Sequence, residues 1–322
     1  MGANMKQIIV VAPSNSMSTL SKSVINYGVS RLEQHGYVVK VAKNVYENSV
    51  FDMGSIHEKM MDFNYAMEQL DSIIFPVFGG YNSNSLLDCI NYEMYNSILI
   101  GYSDITALMN AIYAKTKKKS IHGLSFAALC EPNIDQYSLN NFFALLNGEK
   151  NLKIEASDYY YEDFWFTHED MHAHKKIKST GWIPISEGNV EGIVLGGNIE
   201  TLLTLAGTKF FPEMDDAILL FEISPDTSVK RLFSFFTQLK YLNVFKKIKG
   251  MIIGAENPGN TRININNYIE ILKELCIKID FPIIANTNFS HYDPIYSLII
   301  GGRTELNSEI NNTYIKIKES IF

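Results

Sequence analysis

Short apolar runs alternate with longer amphipathic stretches along the first half of the chain. Apolar runs predict strands, and helical spacing of apolar residues predicts the helices between them. The predicted strands span residues 8–12, 37–42, 72–77 and 97–100, and the predicted helices span residues 19–35, 58–70, 85–93 and 105–114. Strands joined by helices form βαβ crossovers, so we predict a mostly parallel sheet covered by helices. Ligands of such sheets bind at the carboxyl ends of the strands, which makes the residues after each strand the candidate functional residues.

The pattern changes in the second half of the chain. A polar and aromatic segment near residues 149–180 has no sustained period, and we interpret residues 151–180 as a linker or substrate loop. Beyond it, strands are predicted at residues 181–195, 217–223, 249–254 and 283–285, and helices at residues 230–242 and 265–277. The sequence therefore predicts an N-terminal α/β domain over residues 1–150 and a smaller α/β or α+β domain over residues 181–322.

The composition is that of an ordinary globular protein, with 46% hydrophobic and 20% charged residues in a chain of 322. A formal charge of −7 argues against nucleic acid or an anionic membrane surface as the main partner. The three cysteines, Cys89, Cys130 and Cys276, are scattered without metal-type spacing, which favours a reducing cytoplasm over a disulfide scaffold. No apolar run approaches the ~20 residues that a membrane span needs. We therefore expect a cytoplasmic protein.

A serine follows the predicted strand at residues 97–100, within the segment GYSDI at residues 101–105. A serine on a sharp strand-to-helix turn projects its hydroxyl from the top of the sheet, as in a nucleophile elbow. The backbone N–H of Asp104 would face an oxyanion that forms beside Ser103, and the helix dipole would stabilise that charge. The alternative is that Ser103 is only an N-cap, a position that serine favours.

Two glycines, Gly79 and Gly80, follow the predicted strand at residues 72–77. Paired glycines let a backbone approach a ligand closely and present its N–H donors. Because this loop and the Ser103 turn lie at the same edge of the predicted sheet, the glycines are candidates for the second oxyanion donor. The alternative is a tight turn that needs a positive φ.

A carboxylate and an imidazole in the second half of the chain complete a possible triad. Glu222 ends or follows an apolar strand, where a carboxylate needs a partner, and His291 lies in a loop rich in turn residues. An activated serine needs a base within about 2.6–3.2 Å and a third group that fixes the tautomer of that base. Ser103, His291 and Glu222 supply these roles together, whereas Glu222 or His291 alone is better explained by an ion pair or a loop histidine.

Several segments match the motifs of one family in order, from about residue 8 to residue 302. They are VVAPS, FGGYNSNSLL, IGYSDITALMNAIYAKT, EGIVLGGNIETLLTLAGTKFFP, AILLFEIS and NFSHYDPIYSLIIGG. On these motifs the chain resembles the LD-carboxypeptidase family of serine peptidases, most closely its microcin-C-immunity (MccF-like) branch. The resemblance implies a Rossmann-like (flavodoxin-like) N-terminal domain, a smaller C-terminal domain and an active site at their interface. It also implies a homodimer that needs no metal or cofactor.

The resemblance assigns roles to the candidate residues. Ser103 is the nucleophile, His291 the general base and Glu222 the group that orients the base. The oxyanion hole is formed by backbone amides, those of Asp104, Gly79 and Gly80. Asn198, in the GGN turn, is by analogy a substrate-positioning residue.

The glycine loop indicates the branch of the family. LD-carboxypeptidases proper cleave murein tetrapeptides before the terminal D-alanine and usually carry an arginine before Gly-Gly, where this chain has Phe78. MccF-like enzymes hydrolyse the bond between a C-terminal aspartate and a modified nucleotide, and aromatic residues of a connecting loop stack on the adenine. Trp165 and Phe164 lie in the corresponding loop, and stacking on a purine contributes roughly 1–3 kcal/mol. Packing of Trp165 at the domain junction is the alternative.

The sequence thus favours a serine peptidase or amidase that acts on a peptide–nucleotide conjugate and gives self-immunity or detoxification. One departure concerns nucleotide recognition, because MccF-type proteins carry basic residues shortly after the catalytic glutamate, where this chain has the segment SPDT at residues 224–227. Two alternatives stay open: an LD-carboxypeptidase that acts on a murein peptide in cell-wall recycling, and a non-catalytic protein that binds peptide or nucleotide conjugates. No nucleic-acid or membrane partner is expected.

Overall fold

Two large β-sheets organise the computed structural model, which describes residues 6–69, 71–161, 175–256 and 263–322. The strands, in chain order, are β1 Gln7–Val11, β2 Val38–Val41, β3 Ile73–Pro76, β4 Ile98–Gly101, β5 Ser120–His122, β6 Leu152–Ile154, β7 Tyr159–Tyr161, β8 Lys176–Lys178, β9 Ile183–Ser186, β10 Asn189–Asn198, β11 Ala217–Glu222, β12 Gly250–Gly254, β13 Ile283–Thr287, β14 Leu298–Ile300, β15 Arg303–Glu309 and β16 Asn312–Ile317. The α-helices are α1 Lys22–Gln34, α2 Ile56–Glu68, α3 Thr106–Thr116, α4 Phe126–Leu129, α5 Gln136–Leu146, α6 Ile199–Leu203, α7 Val229–Tyr241 and α8 Ile265–Glu274. Short 3-10 helices span Met17–Thr19, Ser83–Cys89, Ser103–Ile105 and Val244–Lys246.

The first sheet has the strand order β2-β1-β3-β4-β5-β14. Strands β1 to β5 are parallel, and β14 is antiparallel to β5. The 2-1-3-4-5 part is the flavodoxin-like order, so the predicted Rossmann-like (flavodoxin-like) fold class is confirmed. The apolar run of β1 explains its central position, because Ile8, Ile9 and Val10 are fully buried and parallel sheets of this kind are covered on both faces.

The second sheet has the strand order β6-β16-β15-β10-β11-β12-β13-β9. Its central strands, β10 to β13, are parallel, and antiparallel strands flank them on both sides. Every residue of β11 is buried. The last of them, Glu222, therefore lies at the carboxyl end of a central strand, beside Asn198 at the end of β10.

Polar contacts between α3 and the end of β10 join the two halves of the molecule. The Asn110 side chain donates to the Gly196 carbonyl at 2.9 Å and accepts from the Gly196 N–H at 3.0 Å. The Thr106 hydroxyl accepts from the Asn198 N–H at 3.0 Å. Because α3 follows directly on the Ser103 turn, these contacts hold that turn against the second sheet.

Some predicted elements differ from the structure. The helix predicted over residues 85–93 is instead the 3-10 helix Ser83–Cys89. The strand predicted over residues 181–195 is two strands, β9 and β10, which lie apart in the second sheet. The segment predicted to lack regular structure contains β6, β7 and β8, of which β7 and β8 pair with each other. A strand of three residues is too short to show a period, so the sequence pattern did not predict these elements.

The domain limits at residues 150 and 180 stay a prediction. One strand from the second half of the chain, β14, belongs to the first sheet and forms its edge beside β5. The loop that contains His291 precedes β14 and is therefore carried back to the first sheet. This return brings the candidate base to the same place as the candidate nucleophile.

Candidate active site

Ser103 lies on a sharp turn between β4 and α3. The strand ends at Gly101, a 3-10 turn spans Ser103–Ile105, and the helix begins at Thr106. The backbone φ of Ser103 is 55°, a left-handed conformation that costs a residue with a Cβ about 1–3 kcal/mol and is concentrated at functional sites. The cap positions of the two helices are Tyr102 and Ile105, so Ser103 is not an N-cap. The turn has the form of a nucleophile elbow.

The candidate base and its carboxylate approach Ser103 from the second half of the chain. His291 Nε2 lies 3.1 Å from Ser103 Oγ, and His291 Nδ1 is hydrogen-bonded to Glu222 Oε1. A carboxylate only accepts, so Nδ1 carries the proton and Nε2 presents its lone pair to the serine hydroxyl. The Glu222 side chain is 3% exposed and the His291 side chain 17% exposed. The structure thus brings the three residues together with the spacing that nucleophile activation requires.

The surroundings of His291 raise its pKa. Burial of the imidazole lowers the pKa, but the Glu222 carboxylate raises it through its charge and its hydrogen bond, and Asp226 raises it further. The net result is a pKa above the ordinary value of 6.5. His291 is protonated below that pKa, and the protonated ring cannot accept the Ser103 proton.

This pKa predicts an acid limit on reactivity. The rate at which a fluorophosphonate labels Ser103 should fall about tenfold for each pH unit below a midpoint that lies above 6.5. Asp226→Asn should move the midpoint to lower pH, because the charge of Asp226 raises the pKa of His291. Asp215→Asn, which removes a surface partner of Lys247, is the matched control and should not move it. A wild-type midpoint at or below 6.5 would contradict the raised pKa of His291, and a labelling rate without an acid limb would contradict the assigned base.

Asn198 supports Glu222 from the neighbouring strand. Its Nδ2 donates to Glu222 Oε2 at 3.1 Å and to Ser224 Oγ at 3.2 Å, and its Oδ1 accepts from the Thr201 N–H at 3.1 Å as the cap of α6. Asn198 is 2% exposed. Its described contacts are therefore with the protein, and they hold the carboxylate that faces His291. Contact of Asn198 with a substrate stays a prediction.

The Asp104 side chain connects the loops that follow three strands of the first sheet. Its Oδ2 accepts from Ser14 Oγ at 2.6 Å, after β1, and from the Ser83 N–H at 2.8 Å, after β3. The Ser83 hydroxyl donates in turn to the Asp104 carbonyl at 2.7 Å. All three residues are buried. Sequence reasoning used only the amide of Asp104, although the positions of Ser14 and Ser83 after predicted strands were a signal for this anchor.

The glycine loop lies directly against the nucleophile. A Cβ added to Gly79 would lie 2.7 Å from Ser103 Cβ, 3.0 Å from Ser103 Oγ and 3.3 Å from the Asp104 nitrogen. Gly80 has φ = 118°, and a Cβ there would lie 2.0 Å from Asn15 Oδ1. Both positions therefore require glycine, and the backbone of Gly79 passes close to Ser103 and to the Asp104 amide. A role of this loop as an oxyanion donor stays a prediction.

We expect Gly79→Ala to lower the labelling or turnover rate about 100-fold, because displacement of reacting groups by ~1 Å has effects of this size. The added methyl group collides with Ser103 itself. Rates are compared with Gly54→Ala, where the new Cβ lies 3.1 Å from the Cβ of the exposed Glu47 side chain. Thermal unfolding shows whether both variants are folded. Unchanged rates in folded Gly79→Ala would contradict the close approach.

The predicted base-stacking residues, Trp165 and Phe164, lie outside the described residues. Within the described ranges, no group of three or more histidine, cysteine, aspartate or glutamate side chains is arranged to hold a metal ion. None of the described helices combines the length and the apolar character needed to cross a bilayer.

Two family models match the chain. The model of the LD-carboxypeptidase N-terminal domain matches residues 8–123, and the model of the LD-carboxypeptidase C-terminal domain matches residues 191–306. The first match contains Ser103, and the second contains Glu222 and His291.

Individual relatives match over most of the chain. The chain is 33% identical to the putative carboxypeptidase YocD of Bacillus subtilis, over 94% of this chain and 93% of the relative. It is 27% identical to the microcin C7 self-immunity protein MccF of Escherichia coli, over 91% of this chain and 87% of that protein. It is 24% identical to the murein tetrapeptide carboxypeptidase of Pseudomonas aeruginosa, over 63% of this chain and 61% of that protein.

Solved structures show the same architecture. The MccF-like protein of Bacillus anthracis superposes with a TM-score of 0.90 at 32% identity, covering 98% of both chains. MccF in complex with aspartyl sulfamoyl adenosine superposes with a TM-score of 0.87 at 26% identity, covering 99% of this chain and 98% of that one.

Proposed function

The chain belongs to the LD-carboxypeptidase family of serine-type carboxypeptidases, and we propose that Ser103, His291 and Glu222 are its catalytic triad. We propose further that it hydrolyses the amide-type bond between a C-terminal aminoacyl group, such as aspartyl, and a modified nucleotide. The single observation that carries the hydrolase proposal is the 3.1 Å contact between Ser103 Oγ and His291 Nε2, with Glu222 on the other ring nitrogen.

The proposed reaction follows from this geometry. His291 Nε2 accepts the Ser103 proton while Ser103 Oγ attacks the carbonyl carbon, and the backbone amides of Gly80 and Asp104 stabilise the oxyanion. The tetrahedral intermediate collapses to an acyl-enzyme, and the proton on His291 passes to the leaving group. A water molecule then gives a proton to His291 Nε2 and attacks the ester carbonyl. The second tetrahedral intermediate releases the acid and expels Ser103 Oγ, which takes back the proton from His291 and restores both residues.

The proposed substrate class rests on the comparison with MccF. The similar MccF structure holds aspartyl sulfamoyl adenosine, and superposition covers nearly the whole of both chains. The glycine loop of this chain also begins with Phe78 in place of the arginine that is usual in LD-carboxypeptidases proper. We therefore propose self-immunity or detoxification against aminoacyl-nucleotide conjugates as the biological role.

Separate incubations with aspartyl sulfamoyl adenosine and with a murein tetrapeptide test the substrate, with products identified by mass spectrometry. We expect release of aspartate from the first substrate, and Ser103→Ala is the negative control. Product from the tetrapeptide alone would instead support cell-wall recycling, the second candidate, which the match to the Pseudomonas aeruginosa murein tetrapeptide carboxypeptidase favours. Binding without product and without labelling of Ser103 by a fluorophosphonate would support a non-catalytic binding protein.

We also propose that the enzyme acts in the cytoplasm as a homodimer, as family membership suggests. Light scattering coupled to gel filtration tests the dimer directly. A single species at the mass of one 36.5 kDa chain would contradict it.

A further inference from the structure

His122 lies next to the strands that lead into and out of the proposed triad, and the proposed reaction does not use it. It is the last residue of β5, opposite Gly101 of β4 on one side and Leu298 of β14 on the other. Strand β4 leads into the Ser103 turn, and β14 follows the His291 loop. The topology therefore places His122 where the two loops of the site meet.

The His122 ring is buried, and no other residue in the described part of the chain forms a hydrogen bond with it. The residue is 4% exposed, and neither ring nitrogen has a hydrogen-bond partner in another described residue. The one backbone group of the described ranges that acts on the ring is that of His122 itself. Burial, together with the nearby His291, lowers the pKa of His122 to about 3. The ring is therefore neutral at physiological pH, with one N–H donor and one acceptor nitrogen. Buried polar groups in native proteins are nearly always bonded to protein or to ordered water, so this ring needs a partner.

A small cavity is lined by both His122 and Glu222. Its volume is about 10 Å³, and Tyr102, Ser290 and Tyr296 form part of the rest of its wall. A cavity of this size accommodates about one water molecule, provided that polar groups line it. The neutral imidazole offers a donor or an acceptor, and the carboxylate offers an acceptor. A single water molecule can satisfy both.

We propose that His122 holds one buried water molecule against the Glu222 carboxylate and is thereby a positioning residue of the triad. The inference deepens the proposed function and rests on it, because it assigns a role within the same site. The water accepts from or donates to His122 and donates to Glu222. It would join the two side chains already bound to that carboxylate, Asn198 at 3.1 Å and His291. Networks of this kind fix the orientation of the groups that they connect.

The water also affects the charge that His291 experiences. A donor aimed at Glu222 draws part of the negative charge of the carboxylate away from the imidazole, so loss of the donor raises the pKa of His291. The other titratable or charged groups that face this cluster come from several elements. They are Tyr102 after β4, Asp226 after β11, Glu256 after β12, Tyr268 of α8, and Asp293 and Tyr296 between β13 and β14. Substitution of His122 leaves these groups unchanged, so a shift in the pH midpoint of Ser103 labelling reports on His122.

The test uses the full-length protein and the pH dependence of Ser103 labelling by a fluorophosphonate. His122→Phe keeps a ring of similar shape but cannot bind water, and we expect labelling about tenfold slower with a midpoint about 0.5–1 pH unit higher. His122→Gln retains a donor and an acceptor and should return the midpoint towards the wild-type value. His57→Phe, an exposed histidine of α2, is the matched control and should leave the profile unchanged.

A wild-type profile in folded His122→Phe would overturn the proposal. If that variant does not fold, a high-resolution crystal structure of the wild-type protein decides. A water molecule within hydrogen-bond distance of both His122 and Glu222 supports the proposal, and a cavity without one overturns it. Failure of wild-type Ser103 to react would count against the proposed function, whereas the crystal structure would still test the water site.

Discussion

Ser103→Ala should lower turnover by about 10⁴- to 10⁶-fold, because removal of the nucleophile leaves only the oxyanion donors and substrate binding to act on the bond. The only atom lost is Ser103 Oγ, which in the structure contacts His291 Nε2 at 3.1 Å. Alanine has a Cβ like serine, so the left-handed backbone at φ = 55° is strained to a similar degree in both. We therefore expect a folded protein that still binds substrate.

The measurement is kcat and KM on the substrate identified by the incubations above, together with the thermal unfolding midpoint. Ser234→Ala is the matched control, because Ser234 is exposed on α7 and its hydroxyl bonds only the Lys230 carbonyl among the contacts described. Retention of more than a tenth of wild-type turnover in Ser103→Ala would show that another group is the nucleophile.

Glu222→Gln should lower kcat by about 10⁴-fold with little change in KM, the effect that an amide has when it replaces the carboxylate of a serine triad. The physical reason is the tautomer of His291. Glu222 accepts from His291 Nδ1, which leaves the lone pair on Nε2 beside Ser103. A glutamine can offer an N–H at the same place and then favours the tautomer with the proton on Nε2, which cannot serve as a base.

The substitution also removes the charge that raises the pKa of His291, so the acid midpoint of any residual labelling should move to lower pH. Glu305→Gln is the matched control, a carboxylate of β15 in the same sheet that bonds Tyr314 and Lys318 instead. Wild-type kcat in folded Glu222→Gln would contradict the role of this carboxylate.

Much of the fold could be predicted from local patterns, because long elements carry a clear period. The buried run of β1 and the amphipathic helices α1 and α2 indicated the parallel sheet, and the parallel sheet indicated which residues to examine. Ser103, Gly79 and Glu222 were all found as polar or small residues directly after apolar strands. The strands β5, β6 and β14 were not predicted, because three residues are too few to show a period. The strands β15 and β16 were also missed, because neither contains a continuous apolar run such as those that revealed β1, β3 and β4.

The candidate residues can therefore be picked out from the amino-acid order by residue type and, for Ser103, Gly79 and Glu222, by a position at the end of a strand, whereas their chemical roles stay a proposal. The close approach of Ser103, His291 and Glu222 cannot be predicted from the amino-acid order, because it depends on how the two sheets pack. Asn110 of α3 bonds Gly196 of β10, and β14 pairs with β5. The same packing makes His122 and Glu222 line one small cavity, an arrangement for which the chain carries no local signal. Local periodicity specifies the faces of an element, whereas distances between elements remote in sequence arise only when those faces are buried together.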